Sequence, residues 1–122
     1  MAKIIGFIGL GNVGYPLAKN ILRSGFEMHL NDLEHDKATQ LISCGAIWHD
    51  TPEQVAQSSD VVITSLPSVE AVAQVAESEH GILKVNSDKK IWIDMSTTDS
   101  NEVRRLSKLA KTQGFRMLEA PV

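Results

Sequence analysis

Short apolar runs alternate with stretches of helical period along almost the whole chain, and that alternation leaves few folds open. Ile4-Ile5-Gly6-Phe7-Ile8 is nearly all apolar and ends in glycines, as suits a strand buried on both faces. Val13, Leu17, Ala18, Ile21 and Leu22 recur at helical spacing up to Gly25, which stands where a helix-ending glycine belongs. Met28-His29-Leu30-Asn31 reads as a second strand, 36–44 as a helix closed by Gly45, and Ala46-Ile47-Trp48 as a brief third strand. Thr51-Pro52-Glu53-Gln54 supplies a cap, a proline at the first helical position and an amide three residues on, so a helix is expected to about Ser58. Val61-Val62-Ile63-Thr64-Ser65-Leu66 is the fourth strand, stopped by Pro67, and a helix follows from Ser68 over roughly 69–78. A polar turn at 86–90 precedes Ile91-Trp92-Ile93-Asp94-Met95, the fifth strand. Asp99 and Glu102 open a helix ending near Gly114, and 115–118 make a sixth strand. Six apolar strands alternating with helices predict an α/β, doubly wound parallel sheet with helices on both faces.

Composition narrows the partners. The 122 residues carry twelve Lys and Arg against fifteen Asp and Glu, a formal charge of −3, and 43% are apolar, enough for one domain with one core. No basic block provides the field that nucleic acid or an anionic membrane would require, so neither is expected as a partner. Cys44 is the single cysteine, which excludes a disulfide framework or a cysteine zinc site and fits a reducing, cytoplasmic setting. The first apolar run, broken by Gly6 and Gly9, is too short for a signal segment or a membrane span. His29, His35, His49 and His80 are scattered without an i, i+4 pair, so no metal site is expected. Trp48, Trp92, Phe7, Phe26 and Phe115, with Met28, Met95 and Met117, are expected to fill the core. Lys84, Lys89, Lys90, Lys108 and Lys111 are expected on solvated turns and helix faces.

Gly9-Leu10-Gly11-Asn12-Val13-Gly14 forms a G-x-G-x-x-G set, and its position between a strand and an amphipathic helix gives it meaning. Gly9 allows the tight turn, Gly11 lets a pyrophosphate approach the backbone, and Gly14 lets the helix pack close to the sheet. The helix N-terminus offers N–H groups and partial positive charge to the phosphates, and Pro16 falls in the first turn, where its missing donor has no intrahelical partner anyway. Asp32, eighteen residues beyond Gly14 at the end of strand two, can accept hydrogen bonds from an adenosine ribose. At about 4 Å from a 2′-phosphate its charge would cost roughly 1 kcal/mol per unit charge in water and about 4 kcal/mol at an intermediate dielectric. NAD is therefore favoured over NADP in this Rossmann-type arrangement. Glycine turns followed by an acid also bind S-adenosylmethionine, but that use has no need of the third glycine for close helix packing.

The run Phe7-Ile8-Gly9-Leu10-Gly11-Asn12-Val13-Gly14-Tyr15-Pro16-Leu17-Ala18-Lys19-Asn20 resembles the 3-hydroxyisobutyrate dehydrogenase family of beta-hydroxyacid dehydrogenases, relatives of 6-phosphogluconate dehydrogenase. Thr64-Ser65-Leu66-Pro67 is similar to the family loop that touches the cofactor, Asp94-Met95-Ser96-Thr97 to its substrate-binding segment, and Glu119-Ala120-Pro121-Val122 to the start of a further family segment. Val13 and Leu17 stand where the family has methionine, and Glu119 where it has aspartate. Asn31-Asp32 differs from the Asn-Arg of NADP-preferring relatives, in agreement with the charge argument.

The resemblance implies hydride exchange between a small 3-hydroxy acid and NAD. It implies cofactor contacts from Gly9, Leu10, Gly11, Asn12, Val13, Gly14, Asn31, Asp32, Leu66, Pro67 and Thr97, and substrate contacts from Ser96 and Thr97. Hydroxyls suit the latter because they donate to a carboxylate without adding charge near the hydride path; read from the residues alone, the same two could cap the next helix. No lysine here matches the family's catalytic one, which lies in a helix leading to an all-helical second domain, so residues 1–122 are expected to be a cofactor-binding fragment that turns over poorly by itself. A homo-oligomer is expected of the full-length protein. A non-catalytic nucleotide-binding or redox-sensing module on the same fold is the other reading.

Overall fold

In the computed structural model, which describes residues 3–85, 89–96 and 100–120, six strands pair in parallel in the order β3-β2-β1-β4-β5-β6. They are β1 (Ile5–Ile8), β2 (Met28–Asn31), β3 (Ile47–Trp48), β4 (Val61–Thr64), β5 (Lys90–Asp94) and β6 (Phe115–Glu119), alternating with α1 (Gly14–Arg23), α2 (Thr39–Ser43), α3 (Pro52–Ser58), α4 (Val69–Glu77) and α5 (Ser100–Thr112). The chain builds the sheet outward from β1 to β3, then returns to β4 on the other side of β1. Right-handed crossovers therefore place α1 and α2 on one face and α3, α4 and α5 on the other.

Period-two alternation divides the strands between two cores. Ile5 and Phe7 of β1, with Met28, Leu30 and Ile63, meet Ala18 and Leu41 on one face. Ile8, Val62, Trp92 and Phe115 meet Val55, Val72, Ala76, Leu106 and Ala110 on the other. Gly6 makes this second packing possible, since a Cβ there would stand 2.6 Å from Val55 Cγ1 and 2.5 Å from Ser59 Oγ. The helix starts follow their caps: Thr51 Oγ1 accepts from Gln54 N–H at 3.2 Å, and Ser68 Oγ accepts from Ala71 N–H at 3.1 Å.

Several sequence expectations are corrected. The helix expected at 36–44 divides into a tight 3₁₀ turn, His35–Ala38, and the short α2, because Asp32 Oδ1 takes Glu34 N–H and Lys37 N–H returns to Glu34 O. β3 begins at Ile47 rather than Ala46, and another 3₁₀ turn, Ile82–Lys84, follows α4. Lys90 is only partly solvated. It begins β5, and its ammonium donates to Ala56 O at 2.6 Å and Gln57 O at 3.0 Å, closing the carbonyl end of α3; burial there pushes its pKa down. Phe26 is exposed, Trp48, Met95 and Met117 are only partly buried, and Met95 lies just past β5. The expected cap Asp99 lies outside the described residues.

Candidate functional site

Because the strand order reverses beside β1, the connections leaving β1 and β4 run to opposite faces and open a crevice at their carboxyl ends, the usual place for a ligand in an open α/β sheet. The glycine turn lines it, and its three glycines do three different jobs. Gly9 has φ +101°, and a Cβ there would stand 2.1 Å from Ser65 O and 3.0 Å from Leu66 Cδ2, so the β1 turn lies directly against the β4 loop. A Cβ on Gly14 would stand 2.1 Å from Gly9 O and 3.2 Å from Phe7 Cε1, so the first residue of α1 presses on the turn itself. A Cβ on Gly11 would meet nothing within 4 Å.

That last position is open on an otherwise packed turn. The N-cap of α1, Val13, makes no side-chain capping bond, and no acidic residue lies in its first turn, so the N–H groups there have no side-chain acceptor of their own helix. Asn12 and Val13 are exposed at the crest, while Leu10 is buried beneath it.

Asp32 is half-buried just beyond β2, and its carboxylate is already oriented. Oδ2 accepts Leu10 N–H at 2.7 Å and Oδ1 accepts Glu34 N–H at 2.8 Å. A carboxylate has about four acceptor positions, so Asp32 can fix the turn and still receive ribose hydroxyls. Asn31 reaches the turn through its backbone, whose carbonyl accepts Gly9 N–H at 3.1 Å; its side-chain amide donates to His49 O at 2.9 Å and secures the residue after β3.

The opposite wall is the loop after β4. Ser65 N–H donates to Ile8 O at 2.9 Å, and Leu66 N–H donates to Ser96 Oγ at 2.7 Å. Ser96 in turn donates its own proton to Thr64 O at 3.3 Å, and its backbone N–H to Asp94 Oδ1 at 3.2 Å. The same Oδ1 accepts the Thr64 hydroxyl at 2.8 Å, and Thr64 Oγ1 accepts Trp92 Nε1–H at 3.0 Å. Thr64, Asp94 and Trp92 are fully buried, and among the described residues Asp94 Oδ2 has no hydrogen-bond partner. Pro67 is exposed at the loop's end. The glycine turn, Asp32, Leu66 and Ser96 thus share one rim of the sheet, while Thr97 lies outside the described residues.

Sequence reading missed the Thr64–Asp94–Trp92 network; its only signal was a polar pair at the ends of two otherwise apolar strands. It also missed a pair of histidines at the β2–β3 edge of the sheet. His29 Nδ1 and His49 Nε2 are 2.7 Å apart, and His29 Nε2 meets Glu27 Oε2 at 2.8 Å. Burial and the neighbouring His29 hold the His49 pKa below its ordinary value, against the opposing pull of Asp50. Among the described residues no group of three or more His, Cys, Asp or Glu is placed to hold a metal ion, and no helix is long and apolar enough to cross a membrane.

Comparison with known proteins agrees with this geometry. Residues 4–122 match the family described as the NAD binding domain of 6-phosphogluconate dehydrogenase. The chain is 36% identical over 118 residues to the mitochondrial 3-hydroxyisobutyrate dehydrogenase of Mus musculus, covering 97% of this chain and 35% of that protein. It is 34% identical over 118 residues to 2-hydroxy-3-oxopropionate reductase of Escherichia coli, covering 97% of this chain and 40% of that protein. The structure of 3-hydroxyisobutyrate dehydrogenase from Mycobacterium tuberculosis with L-serine superposes with a TM-score of 0.90 at 30% identity, covering all of this chain and 41% of the other. The chain therefore spans about two-fifths of the length of these relatives. With the glycine turn, the switch-point crevice and a match running from residue 4 to residue 122, the chain belongs to the family of NAD binding domains of 6-phosphogluconate dehydrogenase.

Proposed function

We propose that this chain is the cofactor-holding part of an NAD-dependent oxidoreductase that moves a hydride between a small 3-hydroxy acid and the nicotinamide, as the 3-hydroxyisobutyrate dehydrogenases it is similar to are named for. The observation that carries this reading is the glycine turn: two glycines whose Cβ would collide with backbone, and between them one whose Cβ would meet nothing within 4 Å. When bound, the nicotinamide supplies the hydride acceptor. The chain's own residues bind and orient. Gly9, Leu10, Gly11, Asn12, Val13 and Gly14 cradle the diphosphate with the N-terminus of α1 behind it. Asp32 receives the adenosine ribose hydroxyls and repels a 2′-phosphate, with Asn31 fixing its strand. Leu66 and Pro67 border the nicotinamide side, and Ser96 and Thr97 donate hydroxyls to the substrate carboxylate.

The proton on the hydroxyl oxygen is handled by a lysine outside residues 1–122, in a helical domain of the full-length protein, which we take to be a cytoplasmic homo-oligomer. The small share of the relatives' length supports the further domain, and the single cysteine supports a reducing compartment. Calorimetric titration of the chain with NAD⁺ and NADP⁺ tests the reading: NAD⁺ should bind the more tightly, with no turnover of 3-hydroxyisobutyrate by this chain alone. Absence of heat with either dinucleotide would sink the proposal, and tighter NADP⁺ binding would remove the role given to Asp32.

A further inference from the structure

The loop after β4 is held on two sides, by the glycine turn and by the residue after Met95. Ser65 and Leu66 abut Gly9, and Leu66 N–H is held by Ser96 Oγ at 2.7 Å. Ser96 is itself fixed from below, since Asp94 Oδ1 takes both its backbone N–H and the Thr64 hydroxyl, and Trp92 Nε1–H closes the chain onto Thr64. Buried polar atoms are nearly always paired, yet Asp94 is fully buried and its Oδ2 has no partner among the described residues. The two bonds converging on Oδ1 are what this carboxylate contributes.

A serine hydroxyl has one proton and two acceptor positions. The Ser96 acceptor bond to Leu66 N–H is short, whereas its donor bond to Thr64 O is 3.3 Å long, onto a carbonyl that already takes Met95 N–H at 2.9 Å. The proton can therefore be redirected to a new acceptor without releasing Leu66. With adenosine at Asp32 and the diphosphate over Gly11, the rest of a dinucleotide must extend across the switch point toward β4 and β5, where this loop stands.

We infer that Ser96, held by the buried Thr64–Asp94 pair, is a positioning residue for the nicotinamide half of the cofactor: its hydroxyl fixes the Leu66 amide, and with it the loop against Gly9, before any hydroxy acid arrives. The inference rests on the dinucleotide reading and adds to the substrate role of Ser96 one exerted on the cofactor.

The test compares NAD⁺ with ADP, which has the adenosine and diphosphate but nothing that reaches the β4 loop. Ser96→Ala should weaken NAD⁺ binding about fivefold, the effect of one lost hydrogen bond, and leave ADP binding unchanged. Ser96→Thr, which keeps the hydroxyl, should restore NAD⁺ affinity to within about twofold of the parent. Unchanged NAD⁺ affinity in Ser96→Ala overturns the inference. So does a parallel loss of ADP affinity, which would report damage to the fold, or a Ser96→Thr variant as weak as Ser96→Ala. A parent chain that binds neither ligand would instead bring down the functional reading, and this one with it.

Discussion

The two halves of the sheet solve one problem with different chemistry. On the β1–β2 side, the amide of Leu10, just after the strand, is held by a side chain beyond the tip of the next strand, the Asp32 carboxylate. On the β4–β5 side, the amide of Leu66 is likewise held by a side chain just beyond its neighbour, the Ser96 hydroxyl. The first holder is charged and has acceptor positions to spare; the second is neutral and has a single movable proton. In the proposed function, the charge on Asp32 is what discriminates between a ribose hydroxyl and a phosphate. On the β4–β5 side the carboxylate is withdrawn one step, since Asp94 is buried and acts on Leu66 only through Ser96.

The largest effect should come from crowding the glycine turn, either within itself or where it meets the β4 loop and joins the halves. Gly14→Ala forces a Cβ to 2.1 Å from Gly9 O, and Gly9→Ala forces one to 2.1 Å from Ser65 O at a positive φ. Because the obstructing atoms are backbone, each should cost about 2–3 kcal/mol of stability in urea denaturation and abolish dinucleotide binding.

Asp32→Asn sharpens the contrast. It should weaken NAD⁺ binding about tenfold, the scale of a hydrogen bond to a charged acceptor, while raising NADP⁺ affinity relative to NAD⁺ in the same calorimetric titration. An unchanged ratio would mean that Asp32 serves only the Leu10 amide.

The smallest effect is confined to the β2–β3 edge. The fold holds the His49 pKa below its ordinary value of 6.5, so on acidification the unfolded chain takes up this proton before the folded one. The associated stability is therefore present above pH 6.5 and lost as the pH falls below it. His49→Gln should flatten that part of a stability-against-pH curve; a slope equal to the parent's would show that the proton goes elsewhere.

The fold was legible because its signals are local. Continuous apolar runs mark β1 and β4, Thr51 and Ser68 mark helix starts, and crossover handedness then fixes which face each helix covers. The glycine turn was legible for the same reason, since all three glycines act within one turn of chain. The partners of Asp32 and Ser96 were not. Leu10 lies 22 residues from Asp32 and Leu66 lies 30 from Ser96, and no periodicity encodes such pairings. They follow only when parallel register sets the strand tips side by side. His29 and His49, and Lys90 against the end of α3, escaped notice for the same reason: each needs a neighbour that the chain supplies 20 or more residues away.

The chain's two indoles divide between these halves. Trp48, on β3, is partly open to solvent and bonds Asp50 at 2.9 Å, whereas Trp92 is sealed beneath the rim and bonded to Thr64. Their emission is accordingly separable, with the outer one accessible to a soluble quencher and the inner one shielded. The molecule thus carries its own pair of optical reporters, one in each half of the sheet, with no dye or tag required.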